Sequence, residues 1–325
     1  MTLQIPLTRR AFSLSALAAA ITPAWANAWP SRPVKIVVPS PPGGSTDQLA
    51  RAIGEKLATA WTQPVVVDNK PGAGLTLGAD LVAKSAPDGN TLLMAAVHHS
   101  IAPAVYKKLP YDFLKDLKPI TVLAVVPNVM ITRKDFPANT VAKFIALEKR
   151  NPGKYTYGST GAGTAHHLIG EQFNDMAGTQ LRHVPYKGSS PALVDLMGGQ
   201  IDFMFDTVAS CLAHIQSGKL KAVAVATAKR SSILPNVPTL SEAGLAGFDI
   251  ATWFGLMAPA ATPQDVVTRV HADVVKIMAT PEFRKQLAGM GAEPVGNTPA
   301  QMETQIKAEV QKFEALARKA KLSID

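Results

Sequence analysis

The sequence predicts an α/β protein of two lobes joined by two extended crossings, and three observations carry that reading. Short apolar runs alternate with longer helical periods from Val34 onward, the alternation restarts after Pro119, and two unusually long extended stretches run through Val125 and Ile250. Alternation of strand and helix is the signature of parallel βαβ units with helices on both sheet faces. The chain has 325 residues, 47% hydrophobic and 18% charged, a length at which one core usually divides into about two domains.

The first 28 residues stand outside this pattern. The stretch "LTRRAFSLSALAAAITPAWANA" offers basic Arg9 and Arg10, an apolar run, and small residues at Ala24, Ala26 and Ala28. It reads as an export signal cut near Ala26 or Ala28, with cleavage after Ala28 favoured. Paired arginines before Phe12 leave the general and twin-arginine routes both open. The run is short and rich in Ala and Ser for a membrane span, no second span follows, and no cysteine near the cut could carry a lipid. A periplasmic mature protein without a membrane span is expected.

Lobe 1 is expected over 29–126 and 249–325, with lobe 2 over 127–248. In the first, "VKIVVP", "PVVVDN" and "TLLMAAV" read as strands, with helices over Gln48–Trp61 and "TLGADLVAKS". "ITVLAVVPNVMITR", broken by Pro127, is too long for one ordinary strand and suits a connection between lobes. A helix near Val141–Arg150 then leads into "GKYTYGS", a helix over Ala165–Met176 ended by Gly178, "LRHVPY", a helix over Pro191–Met197, "IDFMFD" and "LKAVAVATA". "DIATWFGLMAP" is the second crossing. Helices over Pro263–Ala279, Pro281–Ala288 and Pro299–Lys321 finish the chain.

Removing the leader leaves 31 basic residues against 24 acidic, a net charge of about +7. The positive residues are scattered and not interleaved with aromatics, which argues against a nucleic-acid surface and fits mild steering of small anions. Cys211 is the only cysteine, so no internal disulfide forms and it is expected buried on a helix.

Two glycine turns carry the chemistry. "VVPSPPGGSTDQLAR" and "TYGSTGAGTAHHLIGE" each run from strand through a Gly-rich turn with Ser and Thr into an amphipathic helix. The first amides of a helix lack internal partners and lie at the positive end of its dipole, so an anion fits there. Because Pro41 and Pro42 have no N–H, the donors expected in the first turn are Gly43, Gly44, Ser45 and Thr46. In the second they are Gly161, Ala162, Gly163 and Thr164, with the hydroxyls of Ser45, Ser159 and Thr160 added. A ligand-free account exists for the first turn, in which Ser45 and Gln48 form a capping box and Asp47 complements the dipole. Asp206 ends a strand where a cleft is expected, and could bond a ligand or cap the next helix.

Other chemistries find little support. "GSTGAGT" has Thr164 where a phosphate loop places lysine, and Gly72, Gly74 and Gly78 miss the dinucleotide spacing. No G-x-S-x-G elbow exists. The pairs His98-His99 and His166-His167 are adjacent in sequence and point apart, His167 and Glu171 lack a third zinc ligand, and no catalytic residue, metal or cofactor is called for.

Taken in order, "IVVPSPPGGSTDQLAR", "VVVDNKPGAGLTLGA", "APDGNTLL", "LPYDFLKDLKPI", "YGSTGAGTAHHL", "VPYKGSSPALVDLMGGQIDFMFD", "LPNVPTLSEAGLAGF" and "WFGLMAP" resemble the Bug family, the extracytoplasmic solute receptors of tripartite tricarboxylate transporters. The resemblance spans nearly the whole mature chain. It implies a two-lobed periplasmic binding protein of the flytrap type, whose glycine turns grip a carboxylate and whose partners are membrane transporter subunits. By motif position the ligand role carries over to Gly43, Gly44, Ser45, Thr46 and Asp47, and to Gly161, Gly163, Thr164 and His167; Pro41, Ser159, Thr160 and Ala162 of the same two turns are also expected at the ligand. His166 is not a motif position, and His98, His99, Asp206 and Thr207 are assigned only to the vicinity of the cleft. "SPPGG" departs from the aromatic and small residues common before these glycines, and Leu75 stands where a third glycine is common. A monomer is expected. A signalling or accessory protein that presents its closed form to a membrane sensor or another exported protein is the alternative.

Overall fold

A computed structural model of the protein describes residues 29–319 and 322–324; the expected signal segment lies outside the described residues. The first lobe opens with β1 (Val34–Val38), α1 (Ser45–Trp61), β2 (Val65–Asn69), α2 (Leu77–Ala83), β3 (Thr91–Ala96) and α3 (His98–Val105). β4 (Leu117–Arg133) then crosses to α4 (Val141–Lys149), β5 (Thr156–Ser159), α5 (Ala165–Ala177), β6 (Arg182–Pro185), α6 (Ser189–Met197), β7 (Phe203–Thr207), α7 (Val208–Gln216) and β8 (Leu220–Val225). The chain returns through β9 (Ala251–Pro259), α8 (Gln264–Met278), α9 (Pro281–Gly289), β10 (Glu293–Pro294) and α10 (Pro299–Lys319).

The strands follow the order β2-β1-β3-β9-β4-β7-β5-β6, with β8 and β10 also on β4. Each lobe contains the same parallel trio, β2-β1-β3 in one and β6-β5-β7 in the other, and β4 runs antiparallel to its neighbours in both. The long run through Val125 is therefore a single 17-residue strand as well as the first crossing. It pairs with β9 as far as Pro127 and with β7 and β8 from Asn128 and Val129 onward. Pro127 has no N–H to give to a ladder, and the change of partners falls on it. The second crossing is the short passage at Ile250, whose N–H donates to Ala226 O (2.8 Å) in lobe 2 immediately before β9 begins.

Local sequence explains the main helices. In α1, Leu49, Ile53, Leu57 and Trp61 recur every fourth residue and are buried against β1 and β2. α5 ends where Gly178 takes a left-handed conformation (φ 61°) and returns its N–H to Asn174 O. Two helices leave little local signal. α3 follows the apolar strand β3 with only Val97 between them, and α7 follows β7 directly, so neither start is marked by glycine or proline. Cys211 is buried in α7, where burial drives its thiol well above the usual range.

Packing distinguishes the lobes. One aliphatic cluster is continuous from Ile36 and Leu49 through Val126 and Val129 to Met204 and Leu212, crossing between the lobes along β4. The outer face of lobe 2 has its own aromatic core of Phe136, Phe144, Tyr157, Phe173, Phe203 and Phe205. Among the described residues no helix is long and apolar enough to cross a membrane.

Candidate functional site

Because both lobes place their parallel strands in the same order, the six turns that follow them from strand to helix converge. A small cavity of about 30 Å³ lies between the lobes, and every one of these turns contributes to its wall. Ser40, Gly44, Ser45 and Thr46 come from the β1–α1 turn, Leu75 from the turn before α2, and His98 from α3. Lobe 2 supplies Thr160, Thr164, Ala165 and His166 around the start of α5, Gly188 and Ser189 at α6, and Thr207 before α7. Thr252 and Phe254 of β9 complete the lining. This is the position where α/β sheets hold ligands, outside the carboxyl ends of their strands.

Among the described residues no lysine, arginine or carboxylate lines this cavity. Residues at the N-termini of α1, α3, α5, α6 and α7, five helices from two lobes, line it instead. Each helix start carries about half a unit of positive charge on amides with no partner inside the helix. Two buried side-chain atoms add to the unfilled capacity, since Ser40 Oγ and His98 Nε2 meet no hydrogen-bond partner among the described residues.

The first turn is built differently from its capping-box reading. Gly44, extended at φ −77° and ψ 167°, is the N-cap of α1 and makes no side-chain cap, and the helix begins at Ser45 rather than Gln48. Gln48 Nε2 donates back to Gly43 O (2.9 Å), and the Ser45 hydroxyl meets Thr207 Oγ1 across the cleft (2.5 Å). Asp47 turns inward to accept Gly43 N–H (2.9 Å), Asn69 Nδ2 (3.0 Å) and the Arg51 guanidinium. Burial pushes the Asp47 carboxyl up, but these donors outweigh it and hold it below the ordinary carboxylate range. Asp47 therefore fastens the turn from behind, and the open donors facing the cavity are those of Gly44, Ser45 and Thr46.

The second turn is fastened by hydroxyl and imidazole groups. Gly161 N–H donates to Ser159 Oγ (3.1 Å), which shares a 2.6 Å hydrogen bond with His183 Nε2. His167 Nδ1 accepts Gly163 N–H (3.1 Å), and its ring stacks on His183 with centroids 3.8 Å apart. Burial lowers both histidines, to about 4 for His167 and about 3 for His183, where the neighbouring His167 adds to the effect. Gly161 and Gly163 thus spend their amides inside the turn, while Ala165 and His166 start the open end of α5.

Several sequence expectations change accordingly. Gly44, Ser45, Thr46, His98, Thr160, Thr164 and Thr207 line the cavity. Pro41, Gly43, Asp47, His99, Ser159, Gly161, Ala162, Gly163, His167 and Asp206 stand outside its lining and shape or support the turns. Pro41 packs beside Gly188, where a Cβ would approach its ring to 2.5 Å, and Ala162 O accepts the Tyr106 hydroxyl (2.8 Å). His99 Nδ1 meets the Ala96 backbone, and burial takes its imidazole down to about 4. The histidine facing the cavity is His166, not the motif residue His167, because one step along a helix turns a side chain by about 100°.

His166 belongs to a polar network absent from the sequence reading. Its Nε2 reaches Asn128 Oδ1 (3.1 Å) and its Nδ1 meets the Thr160 hydroxyl (2.8 Å). Asn128 also accepts the Thr252 hydroxyl (3.0 Å) and donates to Ile250 O (3.0 Å), so one buried amide ties both crossings to the cavity wall. Its only signal in sequence is a polar residue beside Pro127 in an apolar run. Asp206 Oδ1 accepts Ser189 Oγ (2.9 Å) and Thr207 N–H (2.8 Å), while Oδ2 meets no hydrogen-bond partner among the described residues. Burial raises the Asp206 carboxyl against the pull of His166, and burial lowers His166 and His98 below the usual imidazole range. Across the mouth, Ser190 Oγ donates to Pro42 O (2.8 Å), a further contact between the lobes.

Comparison with known proteins agrees with this architecture. Residues 49–322 match the tripartite tricarboxylate transporter family receptor model. The chain is 35% identical over 305 residues to protein BugT of Bordetella pertussis, covering 93% of this chain and 94% of that protein. It superposes on the periplasmic binding protein BugD with a TM-score of 0.88 at 37% identity, covering 91% of this chain and 99% of that one. R. palustris Rpa4515 with adipate gives a TM-score of 0.89 at 35% identity, again with 91% and 99% covered. A two-lobed α/β fold with its strand-to-helix turns gathered between the lobes, matched along nearly its whole length by these relatives, places the chain in the Bug family, the receptors of tripartite tricarboxylate transporters.

Proposed function

We propose that this receptor captures a small organic carboxylate between its lobes in the periplasm and delivers it to the membrane subunits of a tripartite tricarboxylate-type transporter. One observation carries the reading: five helix N-termini from two lobes face a single cavity that has no cationic side chain on its wall. Such a wall suits one anionic head whose oxygens accept amide and hydroxyl donors. The adipate-bound relative, at 35% identity, supports the same chemistry. In this reading Gly44, Ser45 and Thr46 from one lobe, with Thr160, the Ser189 amide and the first amides of α5 from the other, hold the carboxylate. Thr164 and Thr207, whose N–H and hydroxyl groups are engaged by Gly161 O and by Asp206 and Ser45, join Asp47, Ser159 and His167 in keeping the turns in shape.

Since the donors come from both lobes, binding and closure are coupled, with motion about the crossings at Pro127 and Ile250. Trp253 is buried next to the second crossing, its Nε1 donating to Glu309 (2.6 Å), and its emission reports closure. The test is a melting-temperature screen of the mature protein against organic acids, each paired with its neutral amide. A ligand at a hundred times its Kd adds about 2.7 kcal/mol, so the expected result is a clear rise with an acid and none with its amide. Equal rises with acid and amide would remove the carboxylate from the account.

A further inference from the structure

Beside the cavity between the lobes lies a second of about 220 Å³, lined by Gly72–Leu75, the Gly161–Ala162 turn, Tyr186 and Lys187. Two residues, Leu75 and Thr160, belong to both walls. Thr160 is held in place by its hydroxyl bond to His166. Leu75 is an apolar side chain, 5% exposed, on a backbone at φ 73°, a left-handed conformation that residues with a Cβ rarely adopt. Ala73 and Gly74 before it also have positive φ, at 47° and 59°. The turn is pinned by Leu75 N–H to Gly72 O (2.9 Å) and by Thr76, whose N–H and hydroxyl both reach Ala73 O. Gly74 packs so closely on the second lobe that a Cβ there would come within 2.6 Å of Ala162 O. A leucine held in such a conformation persists only where its surroundings fix it, and such positions mark functional sites.

We propose that Leu75 is the partition that sets how long an acid the site accepts, an inference that rests on the carboxylate reading. With Leu75 in place the space at the helix N-termini is confined to the first cavity, about 30 Å³ in this closed form, so only the shortest acids are expected there. Without its side chain the two cavities join, and the body of a longer acid runs over Gly74 toward Tyr186. Thus Leu75 determines specificity through the shape of the site, while the carboxylate contacts stay with the helix N-termini.

The test measures binding of straight-chain monocarboxylates from two to eight carbons to the parent, Leu75→Gly and Leu75→Asn. Both replacements suit positive φ, and Asn keeps a side chain on the turn if glycine loosens it. The expected parent profile falls off beyond short chains, and each variant moves that limit by at least two carbons while tightening the longest acid at least tenfold. An unchanged limit in folded variants would overturn the role of Leu75 alone, as would a parent that binds eight-carbon and short acids equally well. If neither parent nor variants bound any of these acids while another acid raised the melting temperature in the screen, this inference alone would fall; with no acid bound in either measurement, the carboxylate reading would fall with it.

Discussion

The two glycine turns occupy equivalent places in their lobes, yet they are fastened by opposite chemistry. The turn after β1 is tied by a carboxylate, Asp47, which is kept ionised by Arg51, Gly43 and Asn69. The turn after β5 is tied by neutral groups, Ser159 with His183 and His167 with the Gly163 amide. The shape of the turn is therefore the shared requirement. Either kind of acceptor can hold it, but the two respond differently to mutation and to pH.

The largest effect is expected in the charged fastening. Asp47→Ala leaves Gly43 N–H without its acceptor and takes the carboxylate from Asn69 and Arg51, which keep only Ser40 O and Asn69 Oδ1 as acceptors, a change that should cost about 2–4 kcal/mol in urea unfolding and weaken acid binding more than tenfold. Ser159→Ala is its counterpart in lobe 2. It strands Gly161 N–H and one nitrogen of His183, with an expected cost of about 1–3 kcal/mol in the same measurement. Should Ser159→Ala prove the costlier, the ranking of the two fastenings would be reversed.

Acid sharpens the contrast. His167 and His183 have folded-state values of about 4 and about 3, below their ordinary value of 6.5. Between 6.5 and those values the unfolded chain binds protons that the folded chain refuses, so stability falls as pH falls. The slope is about 1.4 kcal/mol per pH unit for each histidine. The raised Asp206 works in the opposite sense, gaining stability as pH drops through its folded-state value. Asp47, lowered from 3.8, stays charged until below that value, so the first turn should hold through the window that weakens the second. Melting temperatures from pH 7 to 4 should decline, and His183→Gln should flatten the decline. A curve with no decline in the parent would contradict neutral fastening of the second turn.

Sequence showed the strand–turn–helix rhythm, both glycine turns and the helix stop at Gly178, because these rest on local spacing and on residues with special backbone freedom. Contacts set by distant chain were not readable. The Ser45 hydroxyl, which local pattern matches to a capping box, bonds Thr207, 162 residues away. Likewise, whether His166 or His167 faces the cavity depends on how α5 seats against β5 and β7, and adjacent residues do not encode that. Asn128 gave one weak signal, polarity within an apolar strand, and its role emerges only where β4 changes partners. The donor status of Gly43, Gly161 and Gly163 was obscured because acceptors inside each turn take their amides.

Whether open backbone amides, rather than a cation, hold the carboxylate is decided by one pair of variants at Ser45. Ser45 is the first residue of α1, and Gly44 before it is extended, so proline fits there without disturbing the helix. Ser45→Pro removes the hydroxyl and the amide, while Ser45→Ala removes only the hydroxyl. Calorimetry with the best acid from the screen should show Ser45→Pro binding about 1.5–3 kcal/mol more weakly than Ser45→Ala, with the two equally stable. Equal affinities would mean that the amide at the start of α1 does not hold the ligand, and the convergence of helix N-termini would lose its functional meaning.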